Sequence, residues 1–393
     1  MKISNLQARQ FLLHRHGLLG KHLFHGKDGV MSYIKSVGCI QYDPVNICGR
    51  NADIALNSRI KGYKAEMLYD LLYKDRRLID YFDKNLAIFP VEDLPIFLRD
   101  KLGDGTYASA YNDRGGEAVE RIKPLITQLI NERGHISAKD VGVDETIVWD
   151  WGAMSSLPRA ALESMYFRGE LIVHHKKGTI KSYAFTKDHV PPDILNAAMP
   201  FKTAGECIAW RVKRRIGAVG MLWNKASDAW LGLKLKAAER NAAFGKLLDD
   251  GTIFEVSVEG LETPLYVLED EREMLESVLP AKGVAARTEF IAPLDCLMWD
   301  RNLIEALFGF RYKWEIYTPQ EQRKYGPYVL PILHGNSFVG RVDAARKDRQ
   351  LVINNIWTES GKPLSGRAKS AFDKCTDRFA AFNGCTDVII SAD

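Results

Sequence analysis

The 393-residue chain contains no apolar run of the roughly 18 residues that a membrane-spanning helix needs. Its first residues, MKISNLQARQFLLHRHG, lack an apolar core followed by a small-residue cleavage site, so no secretory signal is read there. A cytoplasmic protein is expected. Cysteine is scarce: six residues, at 39, 48, 207, 296, 375 and 385, none in a CxxC pair. Scattered cysteines in such a chain predict reduced core thiols rather than disulfides or a zinc site. Net charge is also small, +4 at neutral pH, and does not by itself announce a polyanionic partner. No cofactor and no metal are expected. Four early histidines, at 14, 16, 22 and 25, have spacings that suit surface positions better than a ligand set, because 14 and 16 would leave a helix on different sides.

What is present is an ordinary globular composition, 46% apolar and 26% charged, in a chain too long for one core. The charge is unevenly spread. Residues 201–250 hold ten Lys/Arg against five Asp/Glu, and residues 251–290 hold three against nine. A basic segment beside an acidic one fits a face turned to an anionic partner, or simply uneven solvated surfaces.

A helix, glycine stop, strand, turn, strand pattern occurs twice. LPRAALESMYFRGELIVHHKKGTIKSYAFTKD, 157–188, places a helical face before Gly169 and two β-rich runs either side of Gly178. AERNAAFGKLLDDGTIFEVSVEGLETPLYVLEDE, 238–271, does the same around Gly251 and Gly260. Helices over 118–133 and 203–215 precede them. Such a unit is the sequence form of a winged helix, which most often binds DNA. The turn HHKKGTIK supplies His174, Lys176, Lys177 and Lys181 as phosphate contacts. WRVKRR supplies Arg211, Lys213, Arg214 and Arg215, four cations in five positions that no single helix face can hide. Solvated surface is the competing reading for each.

The N-terminal 110 residues read as mostly helical. Ser4 is a helix cap, GVMSYIKSVG a helix ending at Gly38, and AEMLYDLLYKDRRLIDYF a further helix. From about 284 the chain turns strand-rich, with HGNS a hairpin turn, before a last helix in GRAKSAFDKCTDRFAAFNG. The expected units are 1–110, helical or winged-helix; 111–200 and 201–280, winged helices; and 281–393, a small β-barrel.

The stretch CIQYDPVN, 39–46, places Gln41, Asp43 and Asn46 directly after an apolar lead-in. In extended backbone Gln41 and Asp43 project to one side, and Pro44 disfavours helix at Asp43. Equally, Asp43 could cap a helix with Pro44 at its first position, putting Asn46 and Arg50 on one face.

Several segments together resemble the AlkZ/YcaQ-like winged-helix DNA glycosylases, in particular the branch called AlkX. They are IQYDPVN, LYKDRRLIDYF, LPRAALESMYFRGEL, PLDCLMWDRNLIEALFGFRYKWEIYTP, KYGPYVLPIL and GRVDA. The resemblance spans nearly the whole chain. It implies an α+β fold of tandem winged helices and a C-terminal β-barrel, curved around a DNA channel. It puts the family's catalytic motif on Gln41-Tyr42-Asp43, with the Asp version belonging to the branch that unhooks interstrand crosslinks. The implied reaction is monofunctional hydrolysis of the N-glycosidic bond of N7-alkylated purines in double-stranded DNA, without cofactor or obligate protein partner, by a monomer associated with the nucleoid. Asp43 would be general base and oxocarbenium stabiliser, and Gln41 would position water. Tyr42, Asn46 and Arg50 join the DNA-binding set. Ala52 and Lys84 stand where many relatives carry His. Two other classes are weighed: a non-catalytic winged-helix regulator, and a metal-dependent nuclease using Asp295, Asp300 and Asp343, which are read instead as structural or ion-paired.

Overall fold

A computed structural model of the chain describes residues 1–99, 116–149, 152–278 and 285–391. Helix starts follow local chemistry. Asn5–Arg15 begins at Ser4, whose hydroxyl accepts from the Gln7 N–H while the Gln7 side chain returns to the Ser4 N–H. Gly26–Val37 stops at Gly38, whose φ of +75° suits glycine, and a Cβ there would crowd the Arg214 side chain at 3.2 Å.

The segment expected as one helix over AEMLYDLLYKDRRLIDYF divides. Ala65–Tyr73 is helical, the chain turns through Arg76 at φ +54°, and Leu78–Asp83 is a strand. That strand pairs antiparallel with Asn85–Pro90, which in turn takes Ile40–Gln41 on its other edge. The N-terminal region is therefore built on a three-stranded sheet as well as helices. The switch is set by partners: Leu78, Ile79 and Tyr81 are buried against the sheet, a gain a solitary helix end could not offer.

Both repeated units form. In the first, Gly116–Arg133, a short 3-10 turn at Ala138–Val141 and Leu157–Phe167 precede the hairpin of Leu171–Lys177 and Ile180–Phe185. In the second, Ala204–Val219, capped by Thr203, and Ala237–Asp249 precede Ile253–Val258 paired with Leu265–Leu268. The N-terminal strand Lys2–Ile3 adds to that second hairpin in parallel, tying the two ends of the chain's first two thirds together.

The C-terminal region is a five-stranded sheet in the order Thr288–Phe290, Val329–His334, Ser337–Lys347, Gln350–Thr358, Asp387–Ile390. It curls into a half-barrel, where a small β-barrel or sheet was expected. The HGNS turn joins its second and third strands. The helix Gly366–Phe382 packs Phe372, Cys375 and Phe379 onto it. Cys48, Ile54 and Ala55 share this core, so the sheet is packed against the segment that follows Gln41-Tyr42-Asp43. The expected boundaries at 110/111 and 280/281 lie outside the described residues. All six cysteines are free, and all but Cys385 are buried.

Candidate active site

Gln41 ends the strand Ile40–Gln41 opposite Ala87 and is buried. Its backbone carbonyl accepts from the Asn51 amide (2.9 Å), and the Asn51 Oδ1 accepts from the Leu294 N–H (2.8 Å). One side chain thus clamps the 293–294 loop to the Gln41 strand. A second clamp is the buried ion pair of Arg59 with Asp295, 2.7 Å and 2.8 Å through its two end nitrogens.

After Tyr42 the chain leaves the sheet, and Asp43 closes a turn by accepting from the Val45 N–H at 2.9 Å. No helix starts at Pro44. Asn46 instead bridges Arg50 antiparallel and its Oδ1 accepts from the Gly49 N–H, so the expected shared helix face of Asn46 and Arg50 does not exist. The next helix begins only at Asn51. Pro44 fixes the bend, but the backbone donors after it are taken by the Asp43 and Asn46 side chains.

Gln41, Tyr42 and Asp43 line one pocket of about 410 Å³ with Lys84, Trp299 and Trp314. Asp43 is half-buried, and desolvation pushes its carboxyl above the usual carboxylate range against a single opposing N–H from Val45. Lys84 is the single residue linking strands Leu78–Asp83 and Asn85–Pro90. This hairpin tip is buried under the 228–232 loop, where a Cβ on Gly232 would meet the Asp83 carbonyl at 2.6 Å. The Lys84 ammonium lies 3.3 Å from the Gln41 Oε1 and 4.9 Å from the centre of the Trp299 ring. Burial, reinforced by the nearby Arg215, lowers its pKa to about 8.

The comparisons with known proteins agree with this organisation. A family model described as DNA glycosylase AlkZ-like matches residues 34–382. The chain belongs to the AlkZ-like DNA glycosylase family. Among solved structures it is similar to the Streptomyces sahachiroi DNA glycosylase AlkZ, with a TM-score of 0.64 over 100% of both chains at 16% identity, a match of fold. The protein is a DNA glycosylase, and the non-catalytic regulator gives way to that family membership. Two of the three acids weighed for a nuclease are engaged elsewhere. Asp295 is committed to Arg59, while Asp300 caps Leu303 and accepts from Trp223 at 2.8 Å.

For an AlkZ-like protein, the basic residues proposed from sequence divide into two groups. Lys177 is exposed on the hairpin and Arg50 is half-buried, donating to the Gly178 carbonyl at 3.3 Å. Lys213 is half-buried, and Arg211 lies over the Phe97 ring. The others are engaged within the protein. Arg215 is fully buried and Arg214 nearly so; both bind Asp83, at 2.5 Å and 2.6 Å, and Arg214 also reaches Asp93 and the Gly38 carbonyl. The two guanidiniums hold the Asp83 carboxyl well below the usual range. Lys176 pairs with Asp80 and sits 3.7 Å above the Tyr42 ring, and Lys181 lies largely buried over Tyr166. His174 is half-buried, and desolvation with neighbouring cations lowers it to about 4, so it carries no charge to offer a phosphate at neutral pH. His16, expected at the surface, is fully buried between the Tyr33 hydroxyl and the Val219 carbonyl. Cations on a strand or helix read as phosphate ligands from spacing alone; only the fold reveals the acids that claim them.

Proposed function

We propose that this DNA glycosylase hydrolyses the N-glycosidic bond of N7-alkylated purines in duplex DNA, including both halves of an interstrand crosslink, and acts without a lyase step. The observation that carries this reading is the convergence of Gln41 and Asp43 on one aromatic-walled pocket. An N7-alkylated purine leaves as a neutral base, so the reaction needs little leaving-group assistance. It needs an anion beside the developing oxocarbenium sugar and a held water.

Asp43 supplies the anion and takes a proton from the water. Lys84 offers only donors, so the oxygen of the Gln41 amide faces it. The Gln41 NH₂ is then turned the other way, to donate to a water oxygen whose proton points at Asp43. Lys84 acts here as a positioning residue. In this reading the two helix-and-hairpin units are winged helices that, with the half-barrel, curve around a DNA channel, and the units are 1–110, 111–200, 201–280 and 281–393. Tyr42, Asn46, Arg50, Lys177, Arg211 and Lys213 are the DNA contacts retained from the sequence. The working form is a monomer on nucleoid DNA in the cytoplasm. A crosslinked base cannot swing out freely, so the lesion is attacked within or near the duplex.

The test is release of free base from duplex DNA carrying N7-methylguanine, and unhooking of a nitrogen-mustard crosslinked duplex, in excess chelator. Release with intact abasic strands supports the proposal. Borohydride trapping of the protein on DNA contradicts the monofunctional assignment, and no release from either substrate contradicts the substrate class.

A further inference from the structure

Four of the chain's nine histidines meet at the base of the 171–185 hairpin, from three separate segments. We propose that His135, His174 and His175 form a binding site for one divalent transition-metal ion of the zinc class, with water or His189 as the fourth ligand.

Consecutive residues of a regular strand point to opposite faces, so His174 and His175 should not meet. They do because His174 is the extra residue of a bulge: His175 pairs with Ser182, but Val173, not His174, pairs with Tyr183. Bulges re-aim side chains in this way. The two Nδ1 atoms are 2.8 Å apart. Arg76 holds the bulge open by donating to the Val173 and His174 carbonyls at 3.1 Å and 2.9 Å. His135 is delivered from the loop after the helix Gly116–Arg133. Its neighbour Ile136 exchanges backbone hydrogen bonds with Tyr183, 3.0 Å and 2.7 Å. The His135 ring then stacks on His174 at 4.4 Å and meets His175 edge-on at 5.0 Å. His189 adds a fourth ring 5.0 Å from His174.

One nitrogen from each of His135, His174 and His175 lies within 4.8 Å of the other two. Zinc–imidazole bonds of about 2.0–2.1 Å in a tetrahedron put ligand nitrogens roughly 3.3 Å apart, within reach of small ring rotations. An all-imidazole set suits zinc, copper, nickel or cobalt and offers nothing to calcium or magnesium. All three rings are half-buried, open to ion entry yet backed by packed protein. The bound ion would staple the hairpin to the loop at 135. That hairpin also carries Lys176 on Tyr42 and the Gly178 carbonyl that takes Arg50, so the staple braces the wall beside the catalytic strand. The 38 residues between His135 and His174 hide the set from any short-motif reading.

The test uses tag-free, metal-stripped full-length protein. Calorimetric titration with zinc should show one site and a raised Tm. Copper-loaded wild type should give pulsed-EPR signals from several imidazole nitrogens, a readout that requires no variant. His135→Ala and His174→Gln should each weaken zinc binding more than about tenfold, while His22→Ala should leave it unchanged. No stoichiometric uptake, or uptake undiminished when His135→Ala and His174→Gln are combined, overturns the site.

Discussion

Replacing Lys84 by Met should make the protein more stable and less active. Lys84 is almost wholly buried, and its pKa falls from 10.5 to about 8. At about 1.4 kcal/mol per unit, keeping it charged in the folded state costs roughly 3 kcal/mol near neutral pH. Methionine fills a similar volume without that charge. The lost hydrogen bond to the Gln41 Oε1 offsets on the order of 1 kcal/mol, leaving a net gain of about 2 kcal/mol at pH 7. The pH dependence is the sharper signature. The folded pKa lies below the unfolded one, so the cost is fully present below pH 8 and is relieved as pH rises from about 8 to 10.5. Wild type should therefore gain on the variant across that window. Urea unfolding followed by fluorescence of the eight tryptophans at pH 7 and pH 10 reads both quantities. Base release should fall, because the Gln41 amide is no longer oriented. A variant less stable than wild type at pH 7, or a stability gap independent of pH, would refute the reasoning.

Asp83→Asn leaves Arg215 buried without its counter-charge and Arg214 with Asp93 alone, and should cost about 3–5 kcal/mol, measured by urea unfolding at neutral pH. The acid limb of the pH–rate profile should fall above the ordinary aspartate value of 3.8, because desolvation raises Asp43 and the base works only when ionised; single-turnover base release from pH 3 to pH 7 tests this. Lys177→Ala should weaken DNA binding alike on every sequence and reduce the slope of log affinity against log salt by about one, whereas an unchanged slope removes Lys177 from the phosphate contacts.

What the sequence made legible was local. The Ser4 cap and the Gly38 stop each depend on atoms within a few residues, and each stands where spacing put it. The helix-and-hairpin units were legible for the same reason: glycine stops and alternating strands are short-range signals. Long-range partners were not legible. Arg214 and Arg215 look like phosphate ligands until Asp83, more than 130 residues away, is brought beside them. The 65–82 stretch keeps an apolar rhythm compatible with helix, and only the neighbouring strands turn its second half into sheet. In the site, the Gln-x-Asp spacing was readable. The contact of Lys84 with Gln41 was not, because it depends on a buried hairpin tip. The bulge that pairs His174 with His175 depends on register, which composition does not carry.

The most direct measurement is single-turnover release of N7-methylguanine from duplex DNA by wild type, Asp43→Asn and Gln41→Ala, with DNA binding measured on the same preparations. Rapid release by wild type is expected, with a loss of at least about a hundredfold in Asp43→Asn, a smaller loss in Gln41→Ala, and unchanged binding. Release by Asp43→Asn at the wild-type rate would contradict the account and reduce Asp43 to the residue that closes the turn at Val45.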